Sequence, residues 1–177
     1  FGSAATNVFT GGGGVDTVSY SHSTVNETVN LFTNTGTGTL AQGDSYVNIS
    51  NATGGSGNDT FVASLAANVF DGGGGTHNLV SYANDTAGVT VDLFTPNALG
   101  VGGLAAGDKY INIQDVTGGS GADTFYASSV ANFFTGGGGL DTVSYEKSLT
   151  GVTAKLNNAA ANTGDAAGDT YTSIENL

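Results

Sequence analysis

The chain has no cysteine and no arginine, one proline (Pro96), and only three basic residues, Lys109, Lys147 and Lys155. Without cysteine there is no disulfide framework, although an extracellular home stays open. With three cations against 15 acids the net charge is −12, which argues against nucleic acid or an anionic membrane as partner. No apolar run approaches transmembrane length and no signal peptide is visible, so membrane insertion is not expected. No helical period survives more than a turn. Nor do the residues of a catalytic site converge. There is no cysteine nucleophile, no recurring Ser–His–Asp set and no arginine to steady an oxyanion, so the reading is of a protein that is not an enzyme.

Thirty glycines fill that space, among 177 residues. Glycine in such excess without a collagen period marks either disorder or a turn-rich repeat protein. The apolar fraction of 38%, with nine Phe and seven Tyr at regular intervals, favours the repeat. Tetraglycines begin at Gly11, Gly72 and Gly136, giving periods of 61 and 64 residues. DTVSY (16–20), LVSY (79–82) and DTVSY (141–145) correspond, as do GDSYVNI (43–49), GDKYINI (107–113) and GDTYTSI (168–174). The copies divide the chain into a partial repeat 1–10, then 11–71, 72–135 and a truncated 136–177, expected to form one continuous solenoid. The apolar runs are short, rich in Val, Ile, Thr, Phe and Tyr, and bounded by Gly, Asn and Asp, which predicts strands of three to five residues. The fold class expected is therefore all-β: a parallel β-solenoid with about three coils per repeat. The chain opens in mid-repeat at Phe1 and stops where another glycine hexad is due, without polar caps. An excerpt from a longer array, or a subunit that adds head to tail, is expected.

One pattern recurs seven times: a glycine turn, an Asp, one residue, then a large apolar residue. The acids are Asp16, Asp44, Asp59, Asp108, Asp123, Asp141 and Asp169, and an eighth place is taken by His77 and Asn78. Stacked coils would bring them together on one edge, about 4.8 Å apart. Bare carboxylates at that spacing repel by about 1 kcal/mol per pair in water and more where water is excluded. Three lysines cannot cancel this. A hard divalent cation can, and calcium accepts six to eight oxygens, backbone carbonyls included.

Gly54–Val62 (GGSGNDTFV) and Gly118–Tyr126 (GGSGADTFY) resemble the GGxGxDxUx nonapeptide of RTX, or haemolysin-type calcium-binding, repeats. Gly11–Ser19 and Gly136–Ser144 fit the same pattern. The resemblance implies a parallel β-roll in which hexads 18 residues apart stack and hold calcium between them. It implies a site joining Gly118, Gly119, Gly121 and Asp123 to Gly136, Gly137, Gly139 and Asp141. A weaker one would join Gly54, Gly55, Gly57 and Asp59 to Gly73, Gly75 and Asn78, with Asp71 compensating for the missing acid, and Gly11, Gly12, Gly14 and Asp16 form a further half-site. Asp44, Asp108 and Asp169 are secondary metal candidates. The nonapeptides between, with Asn68 and Asn132 in place of Asp, are expected to be metal-free. The other acids, among them Glu27, Asp85, Asp92 and Asp115, share no spacing, and Asp92 in particular reads as part of a solvated strand face.

What the resemblance implies for function is a calcium-stiffened stalk, filament or surface-layer segment of a secreted bacterial protein, unfolded at low internal calcium for export and folded outside. Copies of itself or adjoining repeats are the partners expected. The alternative is a calcium-dependent carbohydrate-binding adhesin module, gripping extracellular polysaccharide with Tyr20, Tyr82 and Tyr145 or the loops around Pro96.

Overall fold

The computed structural model describes all 177 residues. Sixteen strands of three residues each make up nearly all of the regular structure. They are β1 Val8–Thr10, β2 Thr17–Ser19, β3 Thr28–Asn30, β4 Thr35–Thr37, β5 Ser45–Val47, β6 Asn51–Thr53, β7 Thr60–Val62 and β8 Val69–Asp71. The second half continues with β9 Leu79–Ser81, β10 Thr90–Asp92, β11 Lys109–Ile111, β12 Asp115–Thr117, β13 Thr124–Tyr126, β14 Phe133–Thr135, β15 Thr142–Ser144 and β16 Thr170–Thr172. Three single-turn 3₁₀ helices are the only helical segments.

The strands wind a parallel solenoid with two faces. One face is a nine-stranded sheet in the order β1-β5-β4-β3-β7-β9-β12-β14-β16. The other consists of β11-β8-β6-β2 and β10-β13-β15, linked by antiparallel bridges from Val101 to Thr90 and from Leu99 to Lys109. In most strands the middle residue is the apolar one that is buried: Val18, Val29, Phe61, Phe70, Val80, Val91, Val116, Phe125, Phe134 and Val143 all lie in a single 23-residue core. Phe61 meets Phe70, and Phe125 meets Phe134, at ring-centroid distances of 5.5 and 5.8 Å.

The parallel solenoid read from the sequence is the fold. The 43- to 46-residue stretches hold a feature that the nonapeptide pattern does not contain. After β2 the chain runs ahead to β3, turns back through antiparallel β4, and lays β5 down beside β1. The second repeat does the same on the other face with β10, the 99–101 segment and β11. In the third, Thr153 bridges Thr163 antiparallel ahead of β16. Each repeat thus crosses between the faces five times, which is two and a half coils plus a meander.

That odd number corrects one expectation. The turns 54–59 and 72–78 precede β7 and β9, whereas 118–123 and 136–141 follow β12 and β14. All four strands are parallel neighbours in one sheet. The two hexad pairs therefore lie on opposite edges, not in one row.

Phe125→Ala empties a core position that neighbouring coils cannot refill, because β13 supplies only one buried side chain. A loss of about 3–5 kcal/mol in urea unfolding is expected.

Candidate metal centres at the stacked glycine turns

Paired hexads stack with almost no space between them. A Cβ on Gly137 would lie 2.1 Å from Gly119 O, and one on Gly139 would lie 2.2 Å from Gly121 O. Both residues also have left-handed φ, +102° and +111°, so only glycine fits there. Gly73 and Gly75 meet Gly55 O and Gly57 O in the same way, at 2.5 and 2.3 Å.

The acids that close three of the hexads, Asp59, Asp123 and Asp141, turn inward and are buried, while Asp16 is half-buried. In each of the three, Oδ1 accepts a backbone N–H from the adjacent coil: Asp59 from Glu27 at 2.7 Å, Asp123 from Val89 at 2.8 Å, Asp141 from Asp123 at 2.8 Å. In Asp59 and Asp123 the second oxygen accepts from the turn itself, from Gly55 N and Gly119 N. In Asp16 and Asp141 the second oxygen is buried with no hydrogen-bond partner. Beside them stand backbone carbonyls of Asn48 and Ser173, each in left-handed conformation (φ +54° and +50°). A carboxylate oxygen facing a carbonyl without a donor between them is unfavourable by itself. The donor set is a hard one, carboxylate plus main-chain oxygen, and it suits calcium. No three metal-ligating side chains cluster anywhere, so a cation here draws most of its oxygens from the backbone. Burial pushes the carboxyls of Asp59, Asp123 and Asp141 above the usual range, and neighbouring acids push the same way.

Asn78 is fully buried and fills the place of the missing acid. Its Oδ1 accepts Asp59 N–H at 2.8 Å, and its Nδ2 donates to Gly74 O and Asn112 O. Asp71 stands at the turn's start. Its Oδ1 accepts from Gly73 N and Asn112 Nδ2 at the rim of its own turn.

The secondary candidates are engaged differently. Asp44, Asp108 and Asp169 each accept a backbone N–H with one oxygen, from Asn7, Asn68 and Asn132, and a tyrosine hydroxyl with the other, from Tyr20, Tyr82 and Tyr145. A second tyrosine hydroxyl completes each set: Tyr46, Tyr110 and Tyr171. These three Asp–Tyr–Tyr sets carry their own donors. Of the three tyrosines considered for a glycan groove, Tyr20 and Tyr82 are 1% and 0% exposed and point into the core, while Tyr145 is half-buried.

Four acids that share no spacing are buried, among them Asp92, which was expected on a solvated face. Three successive backbone N–H groups, Thr39 to Ala41, surround the Glu27 carboxylate. Asp85 accepts from Leu104 N and Ala87 N. Lys147 pairs with Asp92 at 2.5 Å and lies over the Tyr126 ring. Asp115 joins Phe133 N and His77, whose ring stacks on Phe133 at 4.0 Å. The Asn turns are held as expected: Asn68 and Asn132 donate to Ser50 O and Gln114 O at 2.6 Å each.

The carboxyl of Asp108 is pushed up to about 7, and that of Asp169 to about 6, by burial against the opposing pull of their hydrogen bonds. An acid whose folded value lies above its unfolded one stabilises the fold most below the unfolded value, about 3.9, and loses that contribution as pH rises through the folded value. Stability should therefore fall between about pH 4 and 7, in the opposite sense to ordinary acid denaturation. Asp108→Asn, which keeps the shape and the Asn68 N–H contact and turns its NH₂ as a donor to the Tyr82 hydroxyl oxygen, is expected to flatten its share of the slope in urea melts across that range. Tyr82→Phe removes a donor from the same buried carboxylate and should cost about 1–3 kcal/mol.

A family model for the RTX calcium-binding nonapeptide repeat matches the chain in four copies, over residues 1–20, 52–76 and 117–146. No curated protein and no solved structure matches.

Proposed function

From the premise that the chain carries RTX calcium-binding nonapeptide repeats, we propose that it is a calcium-stiffened structural segment of a secreted bacterial surface protein, a stalk, filament or surface-layer element with no catalytic role. One observation carries the reading: the buried Asp141 oxygen that faces a carbonyl with no donor, beside two glycine turns stacked at van der Waals limits. We assign calcium to the turns Gly118–Asp123 and Gly136–Asp141, and to Gly11–Asp16, with Asp16 and Asp141 as the anionic ligands. Calcium supplies the positive charge that these oxygens otherwise lack. It binds the stacked turns and not the unfolded chain, so its binding free energy adds to folding stability, by about 2.7 kcal/mol per site at one hundred times the dissociation constant.

Calcium at the concentrations outside cells would hold the fold, and scarce internal calcium would leave the chain loose for export. No helix is long and apolar enough to cross a membrane. Adjoining repeats of the same kind, or copies of the chain, are the partners that a solenoid of stacked coils accepts at its ends.

Far-UV circular dichroism with calcium and with excess chelator tests the metal reading. The β signal and the melting temperature should both drop on chelation and recover when calcium is restored. A melting curve that ignores calcium would sink it. Light scattering at high protein concentration tests assembly, where calcium-dependent growth beyond one chain is expected.

A further inference from the structure

The three tetraglycine turns place one side chain in one frame. Beside the first glycine of each, at the position a Cβ would take, stand the same two groups. They are Asn48 O (2.2 Å) with Asp16 Oδ2 (2.6 Å), Asn112 O (2.2 Å) with Asn78 Nδ2 (2.3 Å), and Ser173 O (2.0 Å) with Asp141 Oδ2 (2.3 Å). The frames differ in one atom. In the middle repeat an NH₂ stands where the outer two have a bare carboxylate oxygen.

The orientation of the Asn78 amide follows from its partners. Its oxygen takes the Asp59 N–H at 2.8 Å, as Asp141 Oδ1 takes the Asp123 N–H at 2.8 Å. Its nitrogen is thereby turned to Gly74 O at 2.6 Å and Asn112 O at 2.9 Å, and an NH₂ has one hydrogen for each. Both acceptors are satisfied, and so is the amide. At Asp141, 0% exposed, and at Asp16 the corresponding oxygen has nothing to donate and no partner.

We propose that the Asn78 carboxamide takes in the middle repeat the place that a cation takes at Asp16 and Asp141, so that the Gly72–Asn78 turn is a rung that needs no metal. The inference rests on the calcium reading of the two outer turns. The local surroundings fit a permanent closure. This turn is one residue longer than its counterparts, and the added length is secured by His77, which stacks on Phe133 and reaches Asp115 at 3.2 Å. Asn68 and Asn132 show the same device elsewhere, each donating to a carbonyl of the neighbouring turn. When metal is withdrawn, the middle rung stays closed and the solenoid loosens at the Asp16 and Asp141 turns.

Two substitutions exchange the devices, and they are read by bound calcium per chain and by melting in chelator. Asn78→Asp should bind one more ion than the wild type and, in chelator, melt roughly 5–15 °C lower, because it leaves a buried charge uncompensated. Calcium should restore it. Asp141→Asn should bind one ion fewer and melt higher than the wild type in chelator, an outcome that a merely structural role for Asp141 does not produce. Unchanged ion counts in both variants overturn the proposal, as does Asp141→Asn melting lower in chelator. A gain for Asp141→Asn that is present at pH 7, absent at pH 5 and unaccompanied by a change in ion count assigns the place to a proton, and overturns it as well. A wild-type chain that binds no calcium fails the underlying reading, which the wild-type count alone decides.

Discussion

The structure depends on a backbone N–H that its own coil cannot satisfy. Strands of three residues end almost as soon as they begin, and at the residue that leads into the next strand the N–H points along the solenoid axis with no ladder partner. A side-chain oxygen from the next coil accepts it. On one edge Asp59 accepts from Glu27, Asn78 from Asp59 and Gln114 from Asn78. On the other, Asp123 accepts from Val89, Asp141 from Asp123 and Glu175 from Asp141. Each coil is thus tied to its neighbour by a turn side chain as well as by its strands. Where the acceptor is ionised the bond is about twice as strong as between neutral groups. The arrangement needs a side-chain oxygen at the turn, which Asp, Asn, Gln and Glu supply.

The same arrangement puts carboxylates where water does not reach, and the second oxygen of each then needs a partner. The chain uses several solutions, and which one applies follows from what lies next to that oxygen. Beside a meander a tyrosine hydroxyl reaches it, as at Asp44, Asp108 and Asp169. Beside its own hexad a glycine N–H does, as at Asp59 and Asp123. Beside a carbonyl held in left-handed conformation nothing does, and there the chain has either an amide, Asn78, or an anion, Asp16 and Asp141. The carboxylate oxygen left without a donor is therefore confined to a geometry that can be named: an Asp turn stacked on a residue of positive φ.

Much of this was legible in the sequence. The repeat, the short strands with one inward residue, the stacking of glycine turns and the family resemblance all follow from spacing and residue type, because they reflect local backbone rules repeated at fixed intervals. The meander was not legible. Thr35–Thr37 carries a glycine at its buried position and no apolar signal, so an inserted strand there looks like loop. The buried Glu27 and Asp85 were hidden for a related reason. They fill equivalent N–H nests before Asp44 and Asp108, yet Asp85 corresponds in the repeat to Ser23, four residues before Glu27. An acid that performs one task from two positions leaves no common spacing. Asn48, Asn112 and Ser173, whose carbonyls frame the tetraglycine turns, carry no side-chain signal because their role is played by the main chain.

The half-turn left over in each repeat follows from the meander, and it decides where the stiffening lies. Had a repeat closed after whole coils, every glycine hexad would fall on one edge, and the opposite edge would be held by Asn turns and tyrosine sets alone. Such a solenoid would be pinned along one side and free to splay along the other. Because equivalent turns are a half-turn apart, the pair ending at Asn78 lies on one edge and the pair ending at Asp141 on the other. The Asp–Tyr–Tyr sets alternate for the same reason: Asp44 precedes β5 and Asp108 precedes β11, on opposite faces. Each edge thus carries rungs of both kinds, those with their own donors and those that close by stacking glycine turns. A bending load that opens one edge compresses the other, and both are braced. The bracing of both edges comes from a chain that doubles back once per repeat.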